Sequence, residues 1–149
     1  MCRFGGQVKV PYSVGQHSLY VAKLLHTRHG LPLLTLHGLL HDGSEAYLSD
    51  IVRPLKHQIP QYLEIEEMTQ TAILKGLKVP PLPPQQESLL KDADNSILLA
   101  ERRDLFPNSK YAWNLNGVGP ANITIQPTQD WLSVQRMLMS YYVELRKRV

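Results

Sequence analysis

The sequence predicts an all-α fold in one compact domain spanning residues 1–149, and three observations carry that expectation. Apolar residues recur at helical spacing in five segments, and each segment is bounded by capping or breaking residues. At 149 residues the chain has the size of one domain and can bury roughly two thirds of its unfolded surface around one core. No internal repeat and no shift of composition marks a second domain.

The elements follow in order. Ser13 with Gln16 forms a capping box, after which Val14, Val21, Leu24 and Leu25 recur on one face until Gly30 stops the helix. The spacing predicts a second helix from near Pro32 to about Asp50, carrying Leu33, Leu36, Leu40 and Leu48, with Pro54 as the breaker. A third runs from Pro60 to Lys75, because proline suits the first turn, Ile65, Met68 and Ala72 share a face, and Gly76 is a natural stop. VPPLPP at 79–84 reads as a stiff connector. The fourth helix spans about Gln85 to Leu105, with Leu90, Ala93, Ile97 and Ala100 as its buried stripe and Pro107 closing it. Residues 108–126 hold a β-prone ITI, and a last helix then carries Trp131, Val134, Leu138, Tyr142 and Leu145.

Composition narrows the function. The content of 43% hydrophobic and 19% charged residues is ordinary for a globular protein, and the apolar stretches fall short of the ~20 residues that a membrane span needs. The expectation is therefore no membrane. The opening MCRFGGQVKVPYS has no apolar signal core, which gives a cytoplasmic location as the default. Sixteen basic against thirteen acidic residues leave a net charge of +3, spread without a basic stripe, and this argues against a nucleic acid partner. Cys2 is the single cysteine, so a metal site would be built from His, Asp and Glu.

Three predicted helices each carry such residues beside an apolar face: His17 on the first, His41 with Asp42 on the second, and Asp94 on the fourth. Burying a carboxylate unpaired is costly, and a divalent ion shared by two His and two Asp satisfies all four groups. His41 and Asp42 lie about 100° apart around one helix axis, so both can reach an ion held between them. Two aspartates cancel the ion's double charge and leave positions open for water and a phosphate oxygen.

In this order the segments RF at 3–4, YSVGQHS at 12–18, HDGSEAYLSDIVRPLK at 41–56 and DADNSILLAERRDL at 92–105 resemble the HD-domain phosphohydrolases, whose ligands form the pattern H…HD…D. The resemblance is nearer to the bacterial 5′-deoxynucleotidases and small phage HD proteins, among them phage dATP triphosphohydrolases. It implies an HD-domain helical bundle, here of about five main helices, and a ligand set of His17, His41, Asp42 and Asp94. It also implies that Glu45 orients or deprotonates the attacking water, and that Asp50 helps protonate the leaving group or holds a second ion. Glu45 lies one turn beyond His41 and Asp42, a spacing that permits this role. By the same resemblance Arg3 and Lys56 are phosphate-binding cations and Phe4 stands near the sugar, where bacterial relatives have Trp. The ion would be Co²⁺, Mn²⁺, Zn²⁺ or Fe²⁺, with a second Mg²⁺ or similar ion for a longer phosphate chain. Deoxynucleotides are the implied substrates and a homo-oligomer the implied assembly, in the host cytoplasm if phage-encoded. The short interval from Asp42 to Asp94 favours dATP triphosphohydrolysis. The alternatives are a 5′-deoxynucleotidase on dNMPs and a metal-containing module that binds nucleotides without cutting them.

Plainer readings compete at several positions. His37 and His41 have the i, i+4 spacing of a zinc-protease pair, but Leu39 and Leu40 replace the glutamate, which leaves His37 structural. Asp92 competes with Asp94 but falls nearer the solvated side. Glu101 reads as a structural ion pair at the charged end ERRD, the alternative being a network behind the ligands.

Overall fold

The computed structural model describes residues 1–106, 113, 115 and 117–149. Among the described residues five helices of nine or more residues, α1 (Val14–His29), α2 (Pro32–Leu40), α5 (Pro60–Gly76), α6 (Pro84–Leu105) and α7 (Trp131–Arg146), form the body. Two single-turn helices, α3 (Glu45–Leu48) and α4 (Arg53–Lys56), lie between α2 and α5. Among the described residues there is no strand, only an isolated bridge between Cys2 and Ser13. The ITI segment is thus not β; it runs along α6, where Asp104 accepts from the Ile125 amide and Arg103 donates to the Ile123 carbonyl. Pro107, expected to close α6, lies outside the described residues.

Helix α1 begins at Ser13, whose Oγ accepts from the Gln16 amide at 3.1 Å, and ends at Gly30 with φ 64°, a conformation that glycine adopts without cost. Only half of the capping box forms. The Gln16 side chain instead ties down the far end of the chain, donating to the Gln126 carbonyl and accepting from the Thr128 amide. Helices α1 and α2 approach closely at Gly38, where a Cβ would lie 3.4 Å from the Ala22 Cα and collide with the Leu25 side chain. Against this pair packs α6, burying Ala93, Ile97 and Ala100, while Leu90 is only partly buried. Helix α7 closes the opposite side through Val134 and Leu145, and Trp131 at its start is 67% exposed rather than part of the stripe.

Two expectations about the middle of the chain need correction. The helix from Pro32 does not continue to Asp50: it ends at Leu40, and turns at 41–44 separate it from α3. Gln70 of α5 compensates for the break, since its Nε2 donates to the Leu40 carbonyl at 2.7 Å and its Oε1 accepts from the Ser44 amide at 3.0 Å. Helix α5 itself turns its apolar face outward. Ile65 and Met68 are 49% and 72% exposed, while Tyr62, Glu66, Gln70, Ile73 and Leu74 face the body and no residue of α5 is fully buried. Polar clasps from Glu66 and Gln70 hold this helix together with a short apolar contact at its end, where Leu74 packs on the core. His37 is structural as expected, bonding to the Pro80 carbonyl at 2.8 Å and so fixing the proline connector against α2.

Candidate metal centre and its pocket

The four expected ligands come together from three elements. His17 projects from α1, Asp94 from α6, and His41 and Asp42 stand at the opening after α2. The break that ends α2 therefore falls at the two residues that present side chains to the centre. His17 Nε2 lies 3.2 Å from His41 Nε2, 3.1 Å from Asp94 Oδ1 and 3.6 Å from Asp42 Oδ2. His41 Nε2 lies 3.3 Å from Asp42 Oδ1 and 3.8 Å from Asp94 Oδ1. Asp92 is exposed.

Both imidazoles are oriented from behind. His17 Nδ1–H donates to Glu101 Oε1 at 2.6 Å, and His41 Nδ1–H donates to the Gly38 carbonyl at 2.9 Å. In the neutral tautomers this leaves two Nε2 lone pairs aimed at one point beside two carboxylates, a donor set that fits one divalent cation. His17, His41 and Asp42 lie close enough to share such an ion, and Asp94 Oδ1 sits within reach of both imidazoles. The electrostatics agree with that fit. Burial and the Arg3 charge oppose protonation of His17, but Glu101 and Asp94 outweigh them and lift its pKa to about 9. His41 is also raised: burial opposes it and the Asp42 and Asp94 carboxylates prevail. Burial pushes Asp94 up, but the hydrogen bonds from His17 and His41 hold it well below the ordinary carboxylate range. The cluster thus draws positive charge to the Nε2 atoms.

Glu101 is more than a charged helix end. It is fully buried, accepts from the Tyr12 hydroxyl at 2.8 Å as well as from His17, and pairs with Arg3 at 3.4 Å. Seven residues after Asp94, it stands two helical turns along the same face, which was the one sequence signal for this role.

A pocket of about 630 Å³ opens in front of the centre. Asp42 and Asp94 lie on its wall, together with the other five expected residues, Arg3, Phe4, Glu45, Asp50 and Lys56. Arg3 is nearly buried and bonds Asp42 Oδ2 at 3.1 Å. Phe4 has φ 57°, a left-handed conformation unusual for a bulky residue, and its amide donates to Asp50 Oδ2 at 3.1 Å. Asp50 thereby holds the turn that carries Arg3 and Phe4. Lys56 stands 3.6 Å from Glu45 Oε1 and is bonded to Glu66. Glu45 is buried, and its Oε2 has no hydrogen-bond partner among the described residues. Burial first, then the Asp42 and Asp50 charges, raise its pKa to about 7.

Three pocket residues escaped the sequence reading. Arg53 bonds Asp94 Oδ2 at 3.3 Å and Asn95 Oδ1 at 3.1 Å, adding a third cation. Its only signal was its place between Asp50 and Lys56. Phe106 and Trp113 join Phe4 in an aromatic cluster, with ring centroids 5.1 to 6.2 Å apart. Nothing local in the sequence pairs rings a hundred residues apart.

No protein-family model matches the chain. It is similar to the uncharacterized protein YfdR of Escherichia coli (strain K12), 35% identical over 105 residues, or 70% of this chain and 54% of that protein. The chain spans about half the length of that relative. No helix among the described residues is long and apolar enough to cross a membrane.

Proposed function

We propose that the chain is a metal-dependent phosphohydrolase of the HD type that acts on deoxynucleotides, with dATP triphosphohydrolysis as the favoured reaction. One observation carries the reading. Two imidazoles, each with Nδ1 committed to a partner behind it, meet two carboxylates at the edge of a pocket that also holds a buried glutamate and three cations. When bound there by His17, His41, Asp42 and Asp94, a divalent ion such as Co²⁺, Mn²⁺, Zn²⁺ or Fe²⁺ supplies Lewis acidity toward water and a phosphate oxygen.

The chain's own residues do the rest. The unpartnered Oε2 of Glu45 can accept a proton from water and orient it for in-line attack on phosphorus. Arg3, Arg53 and Lys56 flank the centre and neutralise charge as it moves toward the leaving oxygen. Asp50 keeps the Arg3–Phe4 turn in place, and its second carboxylate oxygen is available to the leaving group or to a second Mg²⁺. Three cations suit a phosphate chain better than a single phosphate, which supports the triphosphate over the monophosphate. The apolar face of α5, with Ile65 and Met68 exposed, supports self-association into a homo-oligomer.

Metal analysis of the purified protein, followed by chromatography of products from all deoxynucleoside mono- and triphosphates, tests the reading. About one transition metal per chain is expected, with deoxyadenosine and tripolyphosphate from dATP. His17→Ala should lose both metal and turnover. Cleavage of dAMP with dATP ignored would make the protein a 5′-deoxynucleotidase. Inertness toward every nucleotide, with metal retained, would leave a binding module.

A further inference from the structure

We infer that the aromatic cluster of the pocket wall, built by Phe4, Phe106 and Trp113, holds the nucleobase of the substrate by stacking. The inference rests on the proposed nucleotide chemistry and names which part of the substrate this cluster takes. The pocket wall carries two chemically different groups of residues. One is Asp42, Asp94, Glu45 and the cations; the other is the ring cluster of Phe4, Phe106 and Trp113, with Leu98 and Leu115. A phosphate ester without a ring would use only the first. A nucleotide is a charged phosphate joined through a sugar to a flat apolar ring, and it matches both.

The ring geometry singles out Trp113. Phe4 and Phe106 meet edge to face, 5.1 Å apart at 88°, and both pack on the apolar core. That contact is a favourable structural pair in its own right. Trp113 is tilted by 44° and 51° to the two phenyl rings at 6.2 and 5.9 Å, so neither ring covers an indole face by stacking. It is partly exposed on the pocket wall. Phe4 links the two groups, because the same short turn carries Arg3 to Asp42 and the Phe4 ring into the aromatic cluster. Since every base has a π face, recognition by stacking tolerates any base and favours the larger purines.

The chain has two tryptophans, so Trp131→Phe leaves Trp113 as the sole indole emitter, and Trp131 is exposed on α7 away from the pocket. Deoxyadenosine, which has no phosphate, should quench this emission at lower concentration than thymidine, and 2-deoxyribose should leave it unchanged. In metal-loaded protein Trp113→Ala should raise KM roughly tenfold for the deoxynucleotide that is turned over. Inhibition by inorganic tripolyphosphate, which has no base, should stay the same, and Trp113→Phe should restore most of the affinity. Unchanged Trp113 emission with both nucleosides would overturn the inference, as would equal losses toward deoxynucleotide and tripolyphosphate in Trp113→Ala. Quenching by nucleosides in a protein that hydrolyses nothing would retain the base site and remove the hydrolase; hydrolysis without quenching would do the reverse.

Discussion

The two sides of the pocket are held by different means. On the ligand side, His17 and Glu101 are fully buried between α1 and α6 and bonded to one another, with Tyr12 and Arg3 closing on Glu101 and His41, Asp42 and Asp94 gathered at the His17 Nε2. On the cation side, α4 and α5 contain no fully buried residue. There Arg53 is half exposed and leans on Asp94, and Lys56 is positioned by Glu66 and Glu45. Geometry is therefore divided between the core and the surface in this molecule. Groups that must converge on one point are fixed by the core before any ligand binds, whereas groups that would follow a substrate of variable length are held by exchangeable ion pairs.

The sharpest way to break that comparison is to remove a carboxylate from each side. Glu101→Ala leaves the His17 Nδ1–H and the Tyr12 hydroxyl without their partner in the interior and takes from Arg3 one of its two carboxylates, and should cost about 3–5 kcal/mol of stability in chemical denaturation. The milder Glu101→Gln should keep the fold and weaken metal affinity by about 10- to 100-fold, since it alters the group that orients the imidazole. Glu66→Ala removes a partly exposed partner and should cost no more than about 1 kcal/mol. Comparable losses from Glu101→Ala and Glu66→Ala would erase the distinction between the two sides.

A second test asks whether Glu45 belongs to the ligand group or to the reacting group. It is buried like a ligand, yet its carboxylate has Lys56 as its ion-pair partner. Glu45→Ala should leave metal content unchanged and lower turnover by about 10²-fold or more, because the loss falls on the proton transfer and not on the binding of the ion. Loss of metal in that variant would move Glu45 to the ligand side.

The same contrast explains what could be read from the sequence. Caps and apolar periodicity are local, and they placed α1 and α6 within a residue or two and named residues that α7 carries. The candidate ligands His17, His41, Asp42 and Asp94 were legible from their places beside periodic apolar stripes taken together with the resemblance carried by the four segments in their order. The opening at 41–44 was not legible, since it depends on Gln70, nearly thirty residues away, to accept and donate where the helix stops. Nor was the orientation of α5: Ile65, Met68 and Ala72 mark a helix correctly but face outward, while the inward face mixes Glu66 and Gln70 with Tyr62, Ile73 and Leu74 and so gives a weaker apolar stripe. Glu101 was left open between a structural ion pair and a network behind the ligands for a related reason. Within ERRD it looks like a surface charge, and only the fold brings Tyr12, Arg3 and His17 around it.

The smallest predicted effect concerns a polar clasp at the far end of α6, which measures how much such surface ties contribute here. Asp104 accepts from the Ile125 amide at 2.7 Å and from Arg103 at 2.6 and 2.8 Å, and Arg103 in turn reaches the Ile123 carbonyl. The bond from Arg103 lowers the Asp104 pKa, despite some burial, with help from the Ile125 amide. Because the folded-state pKa is depressed, the stabilisation is present above the unfolded value near 3.8 and is lost as pH falls through the lower folded value. Asp104→Asn should therefore cost ~1 kcal/mol at neutral pH, the usual net worth of such a bond. The gap between parent and variant should stay constant down to about pH 5 and narrow below pH 4. Denaturation curves at pH 7, 5 and 3.5 would check this. A gap that widened with acidity would show that Asp104 is not held as the carboxylate, and that the 121–125 segment is fixed by Ala121 and Ile125 in the core instead.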